Sequence, residues 1–88
     1  SWKALYDEVE HDSDGNALVF SEGGKLLTRD AKGILAYSSS KQCIAVLGLD
    51  DIVVVHTKDA ILIAPRDRSE EVKKFVEQLQ AEERTDLL

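Results

Sequence analysis

The stretch that decides the fold is Ile44 to Ala64, IAVLGLDDIVVVHTKDAILIA. It holds three apolar runs, Ile44–Leu47, Ile52–Val55 and Ala60–Ala64, separated by the turn-forming residues GLDD and TKD. Val and Ile are stiff at χ1 and pack well on a pleated surface, so short runs rich in them read as strands. A half-buried strand would alternate apolar and polar residues. These runs are almost continuously apolar, which predicts strands covered on both faces or forming the wall of a small dense core.

Three more runs precede this stretch: Ala17–Phe20, Leu26–Thr28 and Ile34–Tyr37. Glu22-Gly23-Gly24, Lys32-Gly33 and Ser38–Lys41 separate them. Glycine pairs of this kind suit tight hairpins and solenoid corners equally. The six runs start roughly eight or nine residues apart, and two architectures fit that spacing. One is a small antiparallel α+β meander. The other is a coil of three short sides per turn. Its first run would stack on the fourth, the second on the fifth and the third on the sixth, a repeat of roughly 26 residues. The apolar character of the later runs leans toward the coil.

Helices flank the runs. Trp2, Leu5, Tyr6 and Val9 fall at i, i+3, i+4 and i+7, an apolar stripe on a helix from Trp2 to Glu10 with Ser1 as its N-cap. Acidic residues late in this helix oppose its dipole and keep it short. Pro65 cannot donate to a ladder and ends the last strand. The strongest helical pattern follows, from about Ser69 to Glu82. Asp67 or Ser69 would cap it, and Asp67 with Glu70 has capping-box spacing. Val72, Phe75, Val76 and Leu79 form its apolar stripe, which is expected to be buried, with Glu70 and Lys74 paired across one turn. This helix is expected to close the open end of the sheet or coil, with the tail after it frayed. The domain reading is a single unit over 1–88: helix and turn in 1–12, β coils in 17–65, helix in 67–83.

Composition bounds the partners. The 88 residues are 43% hydrophobic and 32% charged, with a formal charge of -6. Acidic residues outnumber basic ones, which disfavours nucleic acid and anionic membrane surfaces as partners. No apolar run approaches the roughly 20 residues of a membrane span, and the N-terminus has no signal-peptide core. Cys43 is the single cysteine and cannot form an internal disulfide, which fits a reducing cytoplasm. The chain contains no Met and opens on Ser1-Trp2, so it reads as an excised piece.

Several groupings suggest chemistry at first sight. Asp12, Asp14 and Asn16 alternate as calcium-loop ligands do. The loop glycine would then fall on Ala17 and the closing Glu on Gly23, so a solvated turn is the better reading, with Asp14-Gly15 or Gly15-Asn16 supplying the positive φ. His11 and His56 have no ligand-spaced partner, and His56 is expected to point outward at a strand end. Cys43 with His56 lacks a glycine elbow and a third orienting group, so Cys43 reads as a small buried hydrophobe. Asp50 and Asp51 are adjacent and should diverge rather than share a proton. Arg66, Arg68, Lys73 and Lys74 could gather a phosphate at a helix start, but a solvated helix end is favoured. From residues alone, no catalytic, substrate-binding or metal-binding residue is assigned.

A resemblance supplies what spacing does not. Ser1-Trp2-Lys3-Ala4-Leu5-Tyr6-Asp7-Glu8 resembles the segment W-x-x-L-[WY]-E of mannose-1-phosphate guanylyltransferases, the nucleotidyltransferases that make GDP-mannose. Asp12-Ser13-Asp14-Gly15-Asn16 resembles their D-x-x-G-N turn. Ile44 to Ala64 resembles [IV]-A-x-x-G-[VL]-x-D-[IL]-V-V-V-x-T-x-D-A-[LIV]-L-[IV]-A. Arg66-Asp67-Arg68 and Val72-Lys73-Lys74, ending with Leu79, resemble the closing R-D-R…V-K-x-[IV]-V-x-x-L helix. The match is close from Ile44 to Leu79 and weaker from Ala17 to Lys41.

The resemblance implies a short left-handed β-helix of about two three-sided coils, following a catalytic domain. It implies that the reaction and its Mg2+ belong to that preceding domain. The metal-binding Asp of the family's D-x-G-S-W motif would lie just before Ser1. It further implies packing on the parent's own catalytic domain and a bifunctional variant in which a phosphomannose isomerase domain follows Leu88; the unpaired edges of an open coil add the expectation of a homo-oligomer, a dimer in solution. This piece alone is expected to be inactive. A free-standing oligomerisation or protein-interaction module is the alternative.

Overall fold

The computed structural model describes residues 2–19 and 22–88. The elements are α1 (Trp2–Glu8), β1 (Ala17–Val19), β2 (Lys25–Arg29), β3 (Leu35–Ser38), β4 (Cys43–Leu47), β5 (Ile52–His56) and β6 (Ile61–Pro65). A 3-10 segment (Arg66–Val72), α2 (Lys73–Ala81) and a final 3-10 turn (Thr85–Leu87) complete the chain. The expected N-cap at Ser1 and the end of the first run at Phe20 lie outside the described residues.

Each apolar run forms a strand, but the stacking differs from the expected one. β1 pairs in parallel with β3, and β3 with β5, in the register Ala17↔Leu35↔Val53. β2 pairs in parallel with β4, Lys25 opposite Cys43. Lys32 bridges Asp50 on a third, shorter side, again a separation of 18 residues. One turn is therefore 18 residues and holds two of the strand runs, not three. The 26-residue repeat is corrected, and so is the pairing of first with fourth, second with fifth and third with sixth run.

The last run leaves the coil. β6 folds back antiparallel on β5, His56 opposite Ile61, giving a four-stranded sheet in the order β1-β3-β5-β6 beside the two-stranded β2-β4. Thr57 fixes the reversal: its N–H donates to Ala60 O at 2.9 Å and its hydroxyl to the same oxygen at 3.3 Å. Antiparallel pairing among the named strands is confined to this hairpin, so the meander is not the architecture.

The corners explain the repeat. Gly15 (φ 76°), Gly33 (φ 68°) and Asp51 (φ 54°) stack one turn apart in the left-handed region, as do Asp30 (φ 50°) and Gly48 (φ 69°). After the first of these corners, buried Asn16 ties two turns together. Its side-chain amide donates to Ala31 O at 2.9 Å and its side-chain oxygen accepts from Ile34 N at 2.8 Å.

Two apolar clusters fill the fold. Ala31, Ile34 and Val46, with Leu26, Ile44 and Ile52 against them, pack together between the turns. Ala17, Leu35, Val53 and Val55 form the other cluster, covered by Trp2, Tyr6 and Val9 of the N-terminal stripe. Trp2 meets Tyr37 edge to face, centroids 5.7 Å apart. β5 has Val53, Val54 and Val55 all buried, as a strand covered on both faces should. β4 and β6 do not follow that expectation. Their burial alternates, and Leu47, Ile61 and Ile63 are 68%, 65% and 63% exposed.

The C-terminal helix also departs from expectation. Residues 66–72 form a 3-10 segment, and α2 begins only at Lys73, with Val72 in the cap position and no side-chain cap. The Asp67/Ser69 cap and the Asp67–Glu70 capping box are therefore absent from the start of α2. Its stripe is not buried: Phe75 is 58% and Val76 37% exposed. The stripe instead lines an open groove of about 510 Å³ whose other wall includes Ile61 and Ile63. α2 thus borders the sheet without sealing it.

Candidate functional site

The groups singled out in the sequence find structural partners. Asp12 Oδ1 accepts from the backbone N–H of Asp14 and of Asn16, both at 2.9 Å, so the alternating acidic turn organises its own backbone. His11 Nε2 lies 2.6 Å from Tyr6 O, and its ring stacks on Tyr6 at 4.1 Å. His56 is half-buried, its Nδ1 3.5 Å from Ser38 Oγ. Cys43 is exposed, which corrects its reading as a buried hydrophobe: it falls on the outward face of β4, whose edge β6 does not cover. Cys43 and His56 do line one concavity between β4 and β6, in the company of apolar side chains. Among the described residues, no three His, Cys, Asp or Glu side chains gather to hold a metal ion.

Among the basic residues near the last helix, Arg68 and Lys74 meet on one carboxylate while Arg66 pairs with another. Arg68 donates to both carboxylate oxygens of Glu71, at 2.6 and 2.9 Å, and Lys74 Nζ lies 3.6 Å from the same carboxylate. Glu71, not the expected Glu70, is the partner of Lys74. The Arg68 hydrogen bond holds the Glu71 carboxyl down at about 2 and raises Arg68 in return. Arg84 and Asp86 form a second such pair, with Asp86 lowered by the hydrogen bond.

Arg66 goes elsewhere, and its surroundings form the most organised polar region. Its Nη2 donates to Asp51 Oδ1 at 3.0 Å, its N–H donates to Asp51 O at 2.8 Å, and its Cζ sits 3.7 Å from the centre of the Tyr6 ring. Tyr6 in turn donates its hydroxyl to Gly15 O at 2.7 Å. Asp50 diverges from Asp51, as expected of neighbours, and its Oδ1 accepts the Lys32 N–H at 3.1 Å. A shallow concavity of about 610 Å³ opens beside Arg66, lined also by Lys3, Asp67, Ser69 and Glu70. Arg66 is matched by a carboxylate and an aromatic face, so this arrangement stabilises and orients. It presents no free anion cradle and no paired acid and base.

In the sequence Arg66 and Asp51 stand apart as separate charged residues, and the structure brings them together at Tyr6. A signal was present in the recurrence of Gly15-Asn16, Gly33-Ile34 and Asp51-Ile52 at the separation of one turn.

With this geometry in hand, comparison with known proteins is specific. The model of the MannoseP isomerase/GMP-like beta-helix domain matches residues 24–79. The chain belongs to this family. A putative mannose-1-phosphate guanylyltransferase of Vibrio cholerae is 42% identical over 98% of this chain, which is 17% of that relative. The xanthan biosynthesis protein XanB of Xanthomonas campestris is 41% identical, and the alginate biosynthesis protein AlgA of Pseudomonas aeruginosa 38%, each with 98% of this chain and 17% of the relative covered. The crystal structure of mannose-1-phosphate geranyltransferase from Thermus thermophilus superposes with a TM-score of 0.76 at 28% identity, over 90% of this chain and 23% of that one. The chain thus spans about a sixth of the length of the curated relatives it matches, a β-helix region similar to one part of mannose-1-phosphate guanylyltransferases.

Proposed function

We propose that the chain is the C-terminal structural and assembly domain of a mannose-1-phosphate guanylyltransferase. The parent would join GTP and mannose 1-phosphate to give GDP-mannose and pyrophosphate. A preceding nucleotidyltransferase domain, with its Mg2+, would run that reaction in the cytoplasm. The observation that carries this reading is 42% identity over nearly the whole chain to a protein six times its length that bears that name. Three of the four basic side chains singled out near α2 support the division of labour, since Arg66, Arg68 and Lys74 each face a carboxylate.

We read the coil as left-handed, with about two turns of three sides. The 18-residue turn supports the three sides, because three six-residue sides make one such turn. The region would pack on the parent's catalytic domain and join subunits. The exposed apolar face at Ile61, Ile63 and Phe75 supports the assembly role, because apolar patches of this kind mark interaction surfaces. Nucleic acid and membrane are not partners in this reading. The chain is acidic, and among the described residues no helix is long and apolar enough to cross a membrane.

The test is an assay of GDP-mannose formation with the full-length protein and with the 88-residue piece. Activity confined to the full-length protein is expected. Turnover by the piece alone overturns the division of labour, and a full-length protein inactive on GTP and mannose 1-phosphate overturns the assignment. Light scattering of the full-length protein tests assembly: a dimer or larger is expected, weakened by Ile63→Asp, and a monomer at high concentration overturns that part.

A further inference from the structure

We propose that Arg66 is the lock that holds α1 in one orientation on the coil. An isolated helix of fewer than roughly 12–15 residues is marginal in water, and α1 has 7. Its placement must come from tertiary contacts. Trp2, Tyr6 and Val9 supply apolar contact with the core cluster. Apolar attraction is non-directional, and by itself tolerates rotation and sliding of a short helix.

Arg66 removes that freedom. Its backbone and its guanidinium are both tied to Asp51, at 2.8 and 3.0 Å, so the cationic plane is fixed to the last turn of the coil. That plane lies over the Tyr6 ring at 3.7 Å. The far end of the same ring is tied to Gly15 O at 2.7 Å. One side chain of α1 is therefore gripped at its face by the third corner of the stack and at its tip by the first. Arg66 Nε is buried with no acceptor among the described residues, so the guanidinium is partly desolvated and its attraction to the ring is strengthened, while the Asp51 carboxylate is 70% exposed and that pair is screened.

The corner residues leave the space this requires. A Cβ at Gly33 would overlap Asp51 Oδ1 and stand 3.2 Å from Arg66 Nη2. A Cβ at Gly15 would stand 3.0 Å from the Tyr6 hydroxyl. A planar, delocalised cation can lie flat on a ring while donating along its edge to a carboxylate, so Lys at this position would keep the charge and weaken the grip. In the parent enzyme, a consequence that rests on the proposed function, α1 joins the catalytic domain to the coil, and Arg66 fixes the angle between them.

Hydrogen exchange read by mass spectrometry on the full-length protein tests this. In Arg66→Ala, peptides covering residues 2–9 should exchange about tenfold faster, the scale of one lost desolvated cation–π contact. Peptides covering β3 and β5 should be unchanged. Tyr6→Leu leaves Arg66 on Asp51 and should loosen the same peptides; Arg66→Lys should fall between wild type and Arg66→Ala. Unchanged α1 exchange in Arg66→Ala overturns the proposal. So does equal acceleration in α1 and β5, which would make Arg66 a general stabiliser. Should Arg66→Ala fail to fold, Tyr6→Leu decides by the same two criteria. GDP-mannose formation by the wild type is read separately, so failure of the functional reading leaves the exchange result standing.

Discussion

The two helices carry the same apolar spacing and meet different fates. Trp2, Tyr6 and Val9 lie on a finished sheet and help complete its core. Phe75 and Val76, at equivalent places in the other stripe, face an open groove. Periodicity states that a helix has an apolar face. It does not state what covers that face. At the N-terminal end the cover is inside the chain and is fixed by a cation on a ring. At the C-terminal end the stripe faces β6 across a groove that the described residues leave open, which suits a region that works beside another protein surface.

The sharpest way to break the first half of that contrast is at a corner. Gly33 and Gly48 have almost the same φ, 68° and 69°. Beneath the Arg66 grip, a Cβ at Gly33 overlaps Asp51, whereas at Gly48 nothing lies within 4 Å. Gly48→Ala should cost about 1 kcal/mol, the strain of a side chain in the left-handed region. Gly33→Ala carries that strain and displaces Asp51 and Arg66, for about 3 kcal/mol in all. Urea unfolding of the two variants measures the difference, and equal midpoints would mean that the space over Gly33 does no work.

The next contrast compares the stripes themselves. Trp2→Ala removes a half-buried ring from the core cluster and its edge contact with Tyr37, and should cost about 2 kcal/mol. Phe75→Ala removes a ring already mostly in solvent, and should change stability by less than about 0.5 kcal/mol. In the full-length protein, a Phe75→Ala cost as large as that of Trp2→Ala would show that the groove is covered there.

These contrasts also mark what could be read from the chain. Strand positions were legible within a residue or so, because β-branched runs and their turn residues are local signals. The stacking was not. Counting runs in threes joins the wrong partners, because the turn is set by the left-handed corners, which recur every 18 residues at Gly15, Gly33 and Asp51 and at Asp30 and Gly48, and each such turn holds two of the runs. The fate of β6 was hidden more deeply. Ile61–Pro65 follows Cys43–Leu47 at the same separation as Cys43–Leu47 follows Lys25–Arg29, so register alone would add it to the two-stranded sheet. The Thr57–Ala60 turn sends it back along β5 instead, which leaves Cys43 and Leu47 uncovered. Of the candidate site, Arg66 and Asp51 were visible as charged residues. Their convergence on Tyr6 comes from tertiary structure, and its trace in the sequence is the 18-residue recurrence of the corners rather than a local motif.

The smallest expected effect lies at the C-terminal end, where exposed ion pairs stand in for a cover. Glu71 has its carboxyl lowered from the ordinary 4.5 to about 2, chiefly by the Arg68 hydrogen bond. A carboxyl depressed on folding contributes stability above its ordinary value and loses it as the pH falls through the depressed one. The Arg68–Glu71–Lys74 group should therefore be intact at pH 4.5 and weaken toward pH 2. Carbon-detected NMR titration should give Glu71 a midpoint near 2, with amide shifts of residues 68–74 following it, while Trp2 and Tyr6 do not report that transition. Glu71→Gln should abolish the transition, and high salt should raise its midpoint, since all the charges involved are exposed and screened. An ordinary midpoint for Glu71 would mean that the pair is not formed in solution, and that the start of α2 is held only by its backbone.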